Sequence, residues 1–274
     1  MPTIQNGPVS LHVEDSGGDG RPVVLIHGWP LSGASWSGQV PSLTAAGHRV
    51  VTYDRRGFGR SDQPGEASTY DYDTLTGDLD AVLTGLDLRD VTLVGFSMGG
   101  GEVARYLGTR GGERVHSAVF AAAIPPCLAL DAAHPDGALD DDTVRGMQAG
   151  LEADPPGFLD GFTRNFFTAD GEMRVTEEQQ QEALALALQA DVHAARECIR
   201  SWTTDFTGDL AAITVPTLVV HGDADGIVPL EKSGQRTHEQ VAGSELHVVT
   251  GGPHGINTSH AEEFNRVLLA FLER

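Results

Sequence analysis

Cysteine is scarce: Cys127 and Cys198 are the only two in 274 residues, with no Cys-x-x-Cys pair and no histidine cluster at metal-ligand spacing. Neither a disulfide framework nor a metal site is indicated, and two reduced thiols suit a cytoplasmic chain. Positive charge is also scarce. Lys plus Arg number 18 against 39 Asp plus Glu, a net charge of -21, which repels phosphate backbones and anionic lipid surfaces. Nucleic acid is therefore not an expected partner, and solubility accounts for the acidity. Long hydrophobic runs are missing. The longest apolar stretch, residues 118–130, is interrupted by Pro125 and Pro126, and residues 1–10 lack a basic segment followed by an apolar run. No export signal, membrane span or membrane partner is expected.

What is present is ordinary globular material, with 40% hydrophobic and 21% charged residues, enough for one core carrying an inserted subdomain. Short runs rich in Val, Leu and Ile recur at 23–26, 50–53, 91–94, 115–121, 217–220 and 246–249, as strands covered on both faces require. Helical spacing separates several of them, as in Leu75, Leu79, Val82, Leu83 and Leu86, or Phe264, Val267, Leu268 and Phe271. Strand then helix, repeated, predicts an α/β fold with a mostly parallel sheet. Residues 9–14 add an antiparallel hairpin at one edge.

The alternation stops between residues 128 and 210, where helical patterns at 176–190 and 194–202 predict a helical insertion between two parts of a core, 1–127 and 211–274. Aromatics are only 6% of the chain, yet Phe158, Phe162, Phe166, Phe167, Trp202 and Phe206 fall in this segment. Some of these rings pack the insertion onto the sheet, and others line a cavity beneath it. The aspartate run 139–142 reads as a solvated loop or helix start.

The sharpest signal runs from Val91 to Glu102, where a buried strand enters Gly95-Phe96-Ser97-Met98-Gly99 and then a helix. A serine on so tight a strand-to-helix turn is strained, and side chains at 95 and 99 would collide with the close-packed chain. The turn lifts the Ser97 hydroxyl out of the sheet at a helix N-terminus, which favours developing negative charge. A serine needs a base, and the base a carboxylate to hold its tautomer. Both are available at later strand ends, in His221-Gly222-Asp223-Ala224-Asp225 and in Pro253-His254-Gly255. Parallel strands deliver such loops to one sheet edge. His254 is the candidate base; either Asp223 or Asp225 could reach it, the other being a turn or cap residue. The Met98 amide and one from His27-Gly28-Trp29-Pro30 are candidate oxyanion donors, and Trp29 is preferred because Pro30 has no N–H.

Together with Tyr53-Asp54-Arg55-Arg56-Gly57-Phe58-Gly59-Arg60-Ser61, these segments resemble the α/β-hydrolase superfamily, and within it the cofactor-free haloperoxidases, which are also perhydrolases and aryl esterases. The resemblance implies the α/β-hydrolase fold, with an eight-stranded sheet, flanking helices and a helical cap. It assigns the acid to Asp225. It implies cleavage of small carboxylic esters through an acyl-enzyme, with hydrogen peroxide able to replace water and yield a peracid that oxidises halide. No cofactor is expected. Pro30 is associated in that group with the perhydrolase activity, and Pro30, Phe158, Phe162, Trp202 and Ile227 are the expected pocket residues. The expected partner is a small-molecule ester, peroxide or lactam, a lactamase being the alternative reading, and a homo-oligomer is compatible with the sequence. A non-catalytic receptor would not keep Ser97, Asp225 and His254 together, and epoxide hydrolase or dehalogenase chemistry would need aspartate at position 97.

Overall fold

The computed structural model describes residues 3–65 and 69–274; Met1 and Pro2, the start of the N-terminal segment considered above, lie outside the described residues. The chain opens with β1 (Thr3–Asn6), β2 (Val9–Asp15) and β3 (Pro22–Ile26), followed by α1 (Val40–Ala45), β4 (Arg49–Tyr53), α2 (Tyr72–Gly85), β5 (Val91–Phe96), α3 (Met98–Arg110) and β6 (Val115–Ala121). Next come α4 (Asp141–Ala153), α5 (Pro155–Phe166), the two-residue strands β7 (Thr168–Ala169) and β8 (Glu172–Met173), α6 (Glu177–Ala187), α7 (Val192–Ser201) and α8 (Thr207–Ala211). The chain closes with β9 (Thr217–Gly222), α9 (Gly234–Gln240), β10 (Glu245–Val249), α10 (Ile256–Ser259) and α11 (Ala261–Leu272).

Eight strands form one sheet in the order β1-β2-β4-β3-β5-β6-β9-β10. The β1–β2 hairpin and its junction with β4 are antiparallel, and all other pairings are parallel. The central strands are buried along their length because helices cover both faces; every residue of β5 and β9 is buried. Each such Val or Leu contributes roughly 1.5–3 kcal/mol relative to exposure. The run at 246–249 departs from expectation. It is an edge strand, where Leu246 and His247 are half-buried and Val248 is exposed, since among the described strands β10 pairs with β9 alone.

Local signals set the helix ends. Asp71 accepts the Thr74 N–H at 2.8 Å ahead of α2, which buries Leu75, Leu79, Val82 and Leu83 on one face. Asp140 caps α4 through the Thr143 N–H at 2.7 Å, and Asp141 and Asp142 occupy its first turn, where the helix dipole favours negative charge. Thr176 and Gln179 form a reciprocal capping box at α6. Between β6 and β9 the chain first runs as an irregular segment over 122–140, with an isolated bridge between Ala129 and Leu139, and then carries α4 to α8 and the β7–β8 hairpin. The helical part is tied to the sheet's carboxyl edge by Trp29 Nε1–H donating to the Ala195 carbonyl at 3.0 Å, and by the Gly255 N–H donating to Phe166 O at 2.9 Å. Cys127 and Cys198 are free and buried; burial pushes the Cys198 thiol up to about 12. Among the described residues no helix is long and apolar enough to cross a membrane.

Candidate active site

The strands β3, β5, β9 and β10 are parallel, so the loops that follow them emerge at one edge of the sheet. At the end of β5 the chain reverses through Ser97, whose backbone angles, φ 53° and ψ -118°, fall where non-glycine residues pay roughly 1–3 kcal/mol. The strain is held from both sides, since the Ser97 N–H donates to Ala121 O at 2.9 Å and its carbonyl accepts from Ile124 and Gly100. A Cβ at Gly95 would lie 2.5 Å from Gly99 O, and one at Gly99 would lie 2.6 Å from Ile26 O, so only glycine fits at either position.

Ser97 Oγ lies 2.9 Å from His254 Nε2, and His254 Nδ1 lies 2.7 Å from Asp225 Oδ2. The other carboxylate oxygen accepts the Ile227 and Val228 N–H groups at 2.9 and 2.8 Å. All three side chains are buried. Burial alone would raise the Asp225 carboxyl, but the charges of His254 and His221 and the hydrogen bonds from them outweigh it and hold the group well below the usual carboxylate range. Asp223 faces elsewhere, accepting the Gly251 N–H at 2.6 Å. The His254 ring is wedged against Phe96 and Phe166, at centroid distances of 5.2 and 4.9 Å, which restricts its rotation.

Next to Ser97 the loop after β3 closes in: a Cβ at Gly28 would lie 3.1 Å from Ser97 Cβ. The Trp29 amide belongs to this loop, and the Met98 amide opens α3, where no earlier helical carbonyl is available to it. Tyr72 Oη donates to Met98 O at 3.0 Å, anchoring that residue from α2. Beneath the loop lies a buried polar cluster that sequence reasoning did not find. The Arg55 guanidinium donates to Glu102 Oε1 through Nε at 2.7 Å and through a second nitrogen, and to the His27 carbonyl at 2.8 Å; Tyr53 Oη donates to Glu102 Oε2. Arg55 and Glu102 are fully buried. Burial pushes the Glu102 carboxyl up and Arg55 opposes it. Burial, then the Arg55 charge, pushes His27 well below its ordinary value, so the ring is neutral. His221, another buried histidine, sits 3.3 Å from Asp225 Oδ2 and donates from Nε2 to Val228 O at 2.8 Å. It lies four residues before Asp225, and its role in holding that loop follows only from contact.

The cavity above Ser97 has a volume of about 200 Å³. Of the candidate pocket residues, Phe162, Trp202 and Ile227 line it; Pro30 and Phe158 lie outside the lining. Pro30 is buried in the loop, and Phe158 packs behind the cavity wall, its ring edge-on to Trp29 at 6.4 Å. The Trp29 ring is itself a wall, with Phe162 at 4.7 Å and Trp202 at 5.0 Å. Ile124, Leu128, Leu139, Met147 and Val228 add to the apolar lining, and Asn165 contributes a polar side chain. No periodic signal marks the loop residues Ile124, Leu128 and Leu139. Away from the cavity, Cys127, His134 and Asp205 bring ligand-type atoms within 4.8 Å of one another. Asp205 is exposed and half-buried His134 is bonded to Asp131 at 3.0 Å, so ordinary polar pairing near the surface accounts for the group.

Residues 21–261 match the alpha/beta hydrolase fold family, and the chain belongs to it. It is 41% identical over 261 residues to a non-heme chloroperoxidase of Kitasatospora aureofaciens, covering 94% of each chain. A bifunctional esterase/perhydrolase of Acinetobacter calcoaceticus is 34% identical, with 98% of each chain covered. The crystal structure of a bromoperoxidase from Bacillus anthracis superposes with a TM-score of 0.96 at 49% identity, covering 100% of this chain and 99% of that one.

Proposed function

We propose that this enzyme is a serine hydrolase of small carboxylic esters that works through an acyl-enzyme, and that hydrogen peroxide replaces water in the second half-reaction to release a peracid. The observation that carries the reading is the hydrogen-bonded chain from Ser97 through His254 to Asp225, opening on a small apolar cavity. Ser97 Oγ attacks the ester carbonyl as its proton passes to His254 Nε2, and Asp225 stabilises the imidazolium. The oxyanion rests between the Trp29 and Met98 amides; one such donor is worth about 3 kcal/mol in the transition state. His254 then protonates the leaving alcohol. Water or peroxide, deprotonated by His254, attacks the acyl carbon and frees the acid or the peracid, and the peracid oxidises halide in solution. The related chloroperoxidase, bromoperoxidase and esterase/perhydrolase support this chemistry. Residues 128–210 serve as the cap, carried on a core of 1–127 and 211–274. Its Phe162 and Trp202, with Ile227 from the core, confine the acyl group to short chains.

Ser97→Ala is expected to lower kcat for a short aryl ester by roughly 10⁴-fold or more, with an unchanged circular dichroism spectrum. Turnover that survives the substitution would remove Ser97 as the nucleophile.

A further inference from the structure

The sequence has four methionines, and they sit in different surroundings. Met147, on α4, is half-buried and lines the cavity that contains Ser97. Met98 is fully buried and is not among the cavity-lining residues. Met173 is half-buried on β8, outside the cavity, and Met1 lies outside the described residues. Among the described residues, Met147 is therefore the methionine that lines the space in which the proposed reaction releases its product. In about 200 Å³, no lining group is far from a molecule held there.

We propose that Met147 is an oxidation site for the peracid formed on Ser97, so that the enzyme modifies its own acyl pocket in step with perhydrolysis; this rests on the perhydrolase reading above. The sulfur lone pair attacks the terminal peroxy oxygen. An S–O bond forms as the O–O bond breaks, the peracid proton ends on the departing carboxylic acid, and the thioether becomes a sulfoxide. Sulfur is oxidised by two electrons and the peracid is reduced by two, so nothing beyond the proposed product is consumed. Thioethers do not need to ionise, so their reactivity follows access to the oxidant. That access favours Met147 over fully buried Met98, and it favours Met147 over Met173 while the peracid is still in the cavity. The sulfoxide places a polar group in a wall otherwise built largely from Ile124, Leu128, Leu139, Phe162 and Trp202. Apolar acyl groups then bind beside a dipole that has lost water, and kcat/KM for such esters is expected to fall roughly fivefold or more.

The intact protein is incubated with acetate and hydrogen peroxide while peracid release is followed by halide oxidation and each methionine is mapped by peptide mass spectrometry. Met147 is expected to gain one oxygen ahead of Met98 and Met173, in proportion to peracid turnovers, and to stay unmodified in Ser97→Ala under the same peroxide. Free methionine added as a scavenger is expected to spare Met173 and not Met147. Met147→Leu, compared with its own starting rate, is expected to lose the progressive decline in ester turnover. Peracid release with Met147 unmodified, parallel oxidation of Met147 and Met173, equal oxidation in Ser97→Ala, or an undiminished decline in Met147→Leu would each overturn the proposal. Ester turnover with no peracid release would overturn the perhydrolase reading and the proposal together, and the halide assay reads that outcome separately.

Discussion

His27 Nε2 accepts the Arg55 main-chain N–H at 3.0 Å, while His27 Nδ1 lies 2.8 Å from the Gly28 carbonyl. A main-chain N–H only donates, so the proton of this neutral ring sits on Nδ1 and is given to Gly28. The ring is a rigid spacer between the end of β4 and the loop carrying the Trp29 amide.

His27→Ala is therefore expected to lower kcat by about tenfold or more with a smaller change in KM, because the Trp29 amide is the proposed donor to the transition-state oxyanion. His27→Gln retains an acceptor for Arg55 and should recover part of the loss. Steady-state kinetics on a short aryl ester check both; an effect confined to KM would show that the ring does not set the oxyanion loop.

Glu102→Gln removes the charge facing Arg55 in a fully buried pair. An uncompensated buried guanidinium typically costs about 3–5 kcal/mol. Urea denaturation is expected to register a loss of that order, and a change under about 1 kcal/mol would mean that the pair does not brace this region.

Asp225→Asn is expected to reduce kcat by about 10⁴-fold, as loss of the tautomer-fixing carboxylate does in serine hydrolases generally. Asp223→Asn should cost far less, since the Asp223 carboxylate accepts from the turn at Gly251 and not from His254. The reverse order would transfer the acid's role to Asp223. The pH dependence follows from the sign of the shift. Asp225 is depressed in the folded state, below an unfolded value of about 3.9. Its stabilisation is therefore fully present above about pH 4 and is lost only as pH falls through the lower folded value. The stability gap between wild type and Asp225→Asn should narrow as pH falls below about 4.

Trp202→Ala opens the cavity wall and removes an edge contact with Trp29. Preference, measured as kcat/KM, is expected to move toward longer or branched acyl groups by about tenfold, since each methylene in an apolar pocket is worth roughly 1–3 kcal/mol. An unchanged acyl profile would mean that this cavity does not hold the acyl chain.

How much of this was legible beforehand differs from residue to residue. The run at 50–53 reappears as β4 (Arg49–Tyr53) and that at 217–220 as β9, since strands covered on both faces need uninterrupted apolar residues. The run at 246–249 carries the same composition, but nothing in it says that the sheet ends there. Phe158 and Phe162 lie one turn apart on α5 with the same chemistry. Only the placement of that helix over Trp29 puts Phe162 on the cavity and Phe158 behind it. Met147, Leu128 and Leu139 reach the cavity from a helix and a loop whose positions no local pattern encodes.

The sequence by itself determined the strand-helix alternation, the strained serine turn and the order Ser97, Asp225, His254, because these depend on short-range sterics and on chemistry written in neighbouring residues. Only the tertiary structure decided which aromatics wall the pocket and that Arg55 and Glu102 pair beneath the loop carrying the Trp29 amide. Those outcomes depend on distances between segments far apart in the chain, which packing of the whole core sets and no local pattern carries.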